Sequence, residues 1–334
     1  SELNNKLNVF PLDSSFDSPS TMSLRHAADG ILETHVTWKE FEERLREALR
    51  TTAVFGPNKR ARDIGEGNGF ASRCALIDCD WQGENADQLP PRVVLKMASC
   101  LALQARMGDA PAAAWTMIEK SIRNVHNIEC YVYDLIERFG GAHAVPRRFY
   151  SRKFDDENDL AGQICMEYAE SSQMMQCCEA ASLDQMKEIA RALGKLQAES
   201  TKIAIDSNSL KTTDAFADYT KTMTKEQFTG VFKRLKELEP SLIERLEKVE
   251  AIMGEYHGTS LPLSIHKQLG IKPVLVNGDM RTENVLVDVD TGDLRFMIDW
   301  QLSHLGVGVE DLLRISFFAQ ATSDRRAFAN ELIE

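Results

Sequence analysis

The sequence has no apolar run long enough to cross a bilayer, and its first residues lack the basic-then-apolar arrangement of a secretory signal. Both absences lead to the expectation of a cytoplasmic protein without a membrane span. Its seven cysteines are odd in number and irregularly spaced, Cys177 and Cys178 are adjacent, and no Cys-x-x-Cys pair occurs. That pattern excludes a disulfide framework and a paired-thiolate metal site. Cys74, Cys79 and Cys165 fall in strand-like runs and are read as core residues. The seven histidines, among them His26, His35, His126, His143 and His304, are scattered without metal-ligand spacing. No Gly-x-Ser-x-Gly elbow supports a hydrolase, and there is neither an internal repeat nor a low-complexity tract. The formal net charge of -12 argues against a nucleic-acid partner and against a strongly anionic membrane surface. What is present is enough apolar material, 43% of 334 residues, for a substantial core.

The chemically richest stretch is Val276-Asn277-Gly278-Asp279-Met280-Arg281-Thr282-Glu283-Asn284-Val285-Leu286-Val287, followed by Met297-Ile298-Asp299-Trp300-Gln301. It sets an Asp, an Asn and a second Asp at the spacing used for phosphoryl transfer from Mg-ATP. In that chemistry Asp279 is the base that orients the attacking hydroxyl and takes its proton, while Asn284 and Asp299 are the metal ligands. Val285–Asp288 and Leu294–Ile298 read as two short strands joined by a turn over Asp290–Asp293, a rigid base for both ligands. Short patterns recur by chance, and an Asp after an apolar run is often only a cap or a strand end. The order of the upstream features is what sharpens the reading.

Those features are a glycine loop, a lysine on a strand and a glutamate on a helix. Gly65, Gly67, Asn68 and Gly69 lie in Asp63–Phe70, which leads into a strand; such glycines let backbone amides approach a phosphate. A dinucleotide-binding loop would instead follow a buried apolar strand and open a helix, whereas Asn58–Arg62 precedes this one. Arg92–Met97 is a short apolar strand with one lysine, Lys96, suited to neutralise α- and β-phosphates if a carboxylate holds it. That carboxylate is sought on the helix expected over 113–139, where Glu129 flanks the apolar stripe and Glu119 and Glu137 stay open as alternatives. Strands at Arg147–Ser151 and Gln163–Tyr168 follow. These features follow the order of the protein-kinase-like fold, in which the second strand would run into a hinge where the backbone of Glu167, Tyr168 and Ala169 could meet adenine.

A helix is expected over Leu183–Ser200, and Asp279 comes about eighty residues beyond it, far past usual loop lengths. Lys225–Leu238 and Ser241–Met253 both have helical apolar spacing, so the interval reads as a helical insert able to wall a small-molecule pocket. Residues up to about Ser23 read as a flexible arm, and Thr37 as the N-cap of a helix over Trp38–Leu49.

With these residues in hand, the chain resembles the CHK kinase-like family of invertebrates, whose members are similar to choline kinases, aminoglycoside phosphotransferases and ecdysteroid kinases. The resemblance runs from Phe55–Lys59 through Asp63–Ser72 to Asp299–Gln301. It implies an α+β, bilobal protein-kinase-like fold: an arm over 1–23, a small β-rich N-lobe with a long helix over 24–168, and a mainly helical C-lobe with a helical insert over 169–334. It further implies ATP and Mg2+, with transfer of the γ-phosphate to a hydroxyl of a small molecule. Two departures stand out: Asn277 where the family pattern has His, and Arg281 two residues after the base. The 33 residues after Gln301 lead to the expectation of a C-terminally short lobe, in which Asp311 caps a helix. The alternative reading is a pseudokinase that binds nucleotide or a partner without turnover. An ordinary protein kinase is disfavoured by the helical insert and by the lack of an Ala-Pro-Glu-like segment after Asp299.

Overall fold

The computed structural model describes residues 22–65, 71–108, 110–140, 142–175, 181–211, 225–256 and 261–333. Gly67, Asn68 and Gly69 of the glycine loop, the Cys177–Cys178 pair and residues 1–21 of the expected arm lie outside the described residues. Contacts divide the chain into two compact units, one of residues up to His126 with Arg148–Tyr168, the other of Asn127–Arg147 with Ala169 onward. The first is rich in sheet and the second mainly helical, as the α+β class requires.

The first unit contains α1 (Trp38–Leu49), β1 (Val54–Phe55), β2 (Arg60–Asp63), β3 (Ser72–Asp78), β4 (Trp81–Gln82), β5 (Arg92–Ala98), α2 (Leu101–Met107), the start of α3 (Ala112–Arg138), β6 (Arg148–Arg152) and β7 (Gln163–Glu167). A five-stranded sheet in the order β2-β3-β5-β7-β6 is antiparallel at every pairing. Period-two alternation puts Val93, Leu95 and Met97 of β5 on one fully buried face and turns Lys96 to the other. That face joins Ala75, Ile77 and Cys165 in a core with Phe41 and Leu45, four residues apart on α1. Thr37 caps α1 by accepting the Glu40 amide, as expected, and Arg50 ends it in the left-handed region. A polar network ties α1 to the sheet. The Glu40 carboxylate accepts from Arg44, Gln163 and Arg152, while the Tyr150 hydroxyl donates to Gln163 at 2.7 Å. Cys79 and Cys165 are core thiols; burial pushes Cys79 up to about 12, which keeps it un-ionised and inert.

The second unit adds β8 (Ser172–Met174), α4 (Leu183–Ser200), α5 (Lys225–Leu238), α6 (Ile243–Tyr256), α7 (Leu261–Gln268), β9 (Val274–Val276), β10 (Val285–Asp288), β11 (Leu294–Met297), β12 (His304–Gly306), α8 (Val309–Ala319) and α9 (Thr322–Ile333). Ser182 and Gln185 form a reciprocal capping box at the start of α4. The insert is helical: α5 and α6 are linked by Lys236 to Glu250 at 2.8 Å, and a single 3-10 turn at Pro240–Leu242 replaces the first turn expected for the second helix. The β10–β11 hairpin forms as expected. Its turn is closed by Asp288, whose carboxylate accepts the Asp290 and Thr291 amides and the Arg295 guanidinium, so its pKa is held down to about 2, chiefly by Arg295. Two pairings were not legible in local sequence: β8 extends the hairpin to three strands, and β12 pairs with β9. Among the described residues no helix is long and apolar enough to cross a membrane.

Candidate active site

β9 delivers the chain into the Asn277–Asn284 segment, and three anchors fix its path. Gly278 has φ +83, and a Cβ there would lie 2.3 Å from the Leu302 carbonyl, so only glycine fits. The second anchor is Asp311. Contrary to the expectation, it does not cap a helix: it sits in the first turn of α8, 1% exposed, and its carboxylate accepts the amides of Asn277 at 2.7 Å and Gly278 at 2.9 Å. Burial pushes its pKa up to about 6 against the pull of those two amides. The third is Asn277, fully buried in place of the expected His. Its Nδ2 donates to the Asp299 carbonyl at 3.1 Å and more weakly to that of Ile298, and its Oδ1 accepts the Asp279 amide at 3.0 Å.

The structure thus brings together the three residues that the spacing singles out. Asn284 Nδ2 donates to the Asp279 carbonyl at 2.9 Å and reaches the Asp279 carboxylate at 3.4 Å. Asp299, one residue past Ile298, adopts φ 60, a left-handed conformation unusual for a non-glycine residue and a form of strain that clusters at functional sites. It lies close enough to Asp279 for the two carboxylates to repel, and Gln301 Nε2 donates to its Oδ2 at 3.3 Å. Burial raises the Asp279 pKa; Arg281 and Arg314 pull it down, and Asp299 adds to the rise, leaving it above its ordinary value. Arg281 Nε stands 3.5 Å from one Asp279 oxygen and Arg314 Nη1, from α8, 3.6 Å from the other. Arg281 is therefore no bystander on the surface. Behind the loop His304 faces Glu310 at 3.2 Å; burial alone would lower its pKa, but Glu310 and the Leu302 carbonyl raise it above the ordinary value.

The donor set fits a magnesium ion. The amide NH2 of Asn284 is engaged by Asp279, which leaves its carbonyl oxygen as the ligating atom, and Asp299 offers a carboxylate. Among the described residues no three His, Cys, Asp or Glu side chains are grouped to hold a metal ion by themselves. Two oxygen donors suit Mg2+, which retains waters and takes phosphates rather than a full protein cage.

In the first unit, Lys96 is 8% exposed on β5 between Cys74 of β3 and Ile164 of β7. It lies close to His126, whose pKa is lowered to about 4 by burial and, against the Arg152 carbonyl, by Lys96. Gly65 closes the stem of the glycine loop by donating its amide to Asp63 at 2.9 Å, and Arg73 pairs with the other Asp63 oxygen at 2.8 Å. Glu167 pairs with Val93 at the end of β7, and Tyr168 stacks on the Arg92 guanidinium, 5.0 Å from its ring centroid. Ala169 opens the second unit, its carbonyl accepting the Ser172 hydroxyl. Of the three glutamates left open on α3, Glu119 is held by Arg123 and Arg25, Glu137 is exposed, and Glu129 is 1% exposed.

A protein-family profile described as "Uncharacterized oxidoreductase dhs-27" (DUF1679) matches residues 24–334. A search of curated proteins by sequence gives no match. Among solved structures, the choline kinase LicA from Streptococcus pneumoniae is similar at 16% identity and a TM-score of 0.47, over 89% of this chain and 79% of that one. A spectinomycin phosphotransferase in complex with ADP and spectinomycin is similar at 12% identity and a TM-score of 0.46, over 89% and 78% of the two chains. A GDP complex of an aminoglycoside 2'-phosphotransferase is similar at 11% identity and 0.46, over 87% and 80%.

Proposed function

The chain belongs to the family described as "Uncharacterized oxidoreductase dhs-27", and we propose that it is a small-molecule kinase, moving the γ-phosphate of ATP to a hydroxyl in a Mg2+-dependent reaction. The observation that carries this reading is the Asn277–Asn284 segment. A half-buried Asp279 with a raised pKa is held by Asn284 and lies beside Asp299, in a loop fixed from behind by Asp311 and Asn277. A protein-kinase-like fold is supported by the chain order of glycine loop, Lys96 strand, α3 and this segment. The oxidoreductase wording of the family description finds no support in the sheet. A nicotinamide dinucleotide is bound by a parallel strand–loop–helix unit, whereas the strand pairs here are antiparallel and the glycine segment joins two adjacent antiparallel strands.

In this reading Asp279 hydrogen-bonds the acceptor hydroxyl, aims its oxygen and takes its proton as the new O–P bond forms. Its raised pKa makes it a stronger base than an exposed carboxylate. The Asn284 carbonyl oxygen and Asp299 hold Mg2+, which when bound supplies charge neutralisation to the phosphates. Lys96 is assigned to the α- and β-phosphates, the loop of Gly65, Gly67, Asn68 and Gly69 to phosphate, and the backbone of Glu167, Tyr168 and Ala169 to adenine. The test is ADP formation with a panel of hydroxyl compounds. Wild type should release ADP with at least one of them, and Asp279→Asn should lose roughly 100- to 10,000-fold in kcat, the range for a positioned base. Equal rates in the two proteins would remove Asp279 from that role.

A further inference from the structure

The ionic surroundings of the base carry information about the acceptor, on the premise that the phosphotransferase reading holds. Each oxygen of Asp279 faces one arginine: Arg281 Nε at 3.5 Å on one side, Arg314 Nη1 at 3.6 Å on the other. Both separations exceed the ~2.7–2.9 Å of a charge-assisted hydrogen bond, so neither guanidinium is committed to the carboxylate. Arg281 Nε is buried and without a hydrogen-bond partner, and its further acidic neighbour Glu283 is 3.9 Å away and already accepts from the Thr282 hydroxyl. The Arg281 and Arg314 side chains keep 33% and 40% of their surface exposed, so both can be reached by a ligand that hydrogen-bonds Asp279. Two partly exposed guanidinium groups flanking the base oppose a quaternary ammonium or polyamine next to the reacting hydroxyl, since like charges repel there. They favour an oxyanion, which the planar fork of an arginine binds with two parallel hydrogen bonds.

We propose that the acceptor is a hydroxyl compound carrying an anionic group, a carboxylate or a phosphate, close to the reacting hydroxyl, and that Arg314 is the residue that reads it. Arg281, two residues from the base, is left to face the phosphoryl group. The acceptor O–H gives its proton to Asp279 while its oxygen bonds the γ-phosphorus. The bond from that phosphorus to the β-phosphate bridging oxygen breaks, and the electron pair leaves with ADP. Besides Asp279, Arg314 faces the acceptor's anionic group and no part of ATP, so its loss raises the acceptor KM and leaves the ATP KM unchanged.

The experiment measures kcat/KM for glycerate, glycerol 3-phosphate, glycerol and choline with Mg-ATP, using the full chain, Arg314→Gln and Arg314→Lys. Glycerate and glycerol 3-phosphate separate a carboxylate reader from a phosphate reader. The expected result is preference for one anionic probe, a loss of roughly ten- to a hundredfold for that probe in Arg314→Gln through KM, and partial rescue in Arg314→Lys. Stabilisation by Mg-ATP without turnover of either anionic probe, preference for glycerol or choline, or unchanged selectivity in Arg314→Gln overturns the inference and spares the phosphotransferase reading. No turnover of any probe together with no stabilisation by Mg-ATP removes both.

Discussion

Asn277 makes three hydrogen bonds with one short amide, donating to the Ile298 and Asp299 carbonyls and accepting the Asp279 amide, while fully buried. It links the loop that carries the base to the residue assigned to the metal. Replacing its NH2 by an oxygen in Asn277→Asp would set a buried carboxylate against two carbonyls. We expect a loss of about 2–4 kcal/mol in urea unfolding, with Asn277→His closer to wild type. Asp311 makes a second prediction. Its folded pKa of about 6 lies above its unfolded value near 3.8, so its contribution to stability is fully present below about pH 4 and lost as pH rises to about 6. Wild type should therefore lose roughly 3 kcal/mol relative to Asp311→Asn between those pH values and show a flat difference above them. A difference that rises with pH would mean that the amide bonds to Asn277 and Gly278 outweigh burial.

At the scale of elements, two glycines separate a structural need from a mere preference. Gly278 sits at positive φ against the Leu302 carbonyl, whereas Gly194 in α4 is exposed, and a Cβ added there would meet nothing within 4 Å. Gly278→Ala should lower the thermal midpoint and nearly abolish activity, whereas Gly194→Ala should stabilise by about 0.5–1 kcal/mol through helix propensity alone. Elements written in local pattern were legible. Thr37 announces its helix through a cap, the stripes of α3 and α4 through their period, and β10 and β11 through alternation around the Asp290–Asp293 turn. The spacing of Asp279, Asn284 and Asp299 is short as well, and the three come together in the structure. What was not legible depends on distant partners. Asp311 binds amides 34 and 33 positions away, Arg314 meets Asp279 only because α8 packs there, and β12 finds β9 across the hairpin. No local periodicity encodes such contacts, which is why Asp311 reads as a helix cap from sequence alone.

At the scale of the whole molecule, each unit has its own buried apolar residues and its own share of the proposed chemistry: Lys96 and Gly65 in the sheet-rich unit, the Asp279–Asp299 segment in the helical one. A ligand that binds the folded chain and not the unfolded one must raise stability by mass action, whatever the acceptor is. The central claim, a nucleotide site with a metal held by Asp299, is tested most directly by thermal unfolding with and without ATP and Mg2+, on wild type and Asp299→Asn. At about a hundred times the dissociation constant the account predicts a stabilisation of roughly 2.7 kcal/mol that needs both ATP and Mg2+ and is lost in the variant. An unmoved midpoint for wild type at saturating ATP and Mg2+, or an equal shift in both proteins, would contradict it.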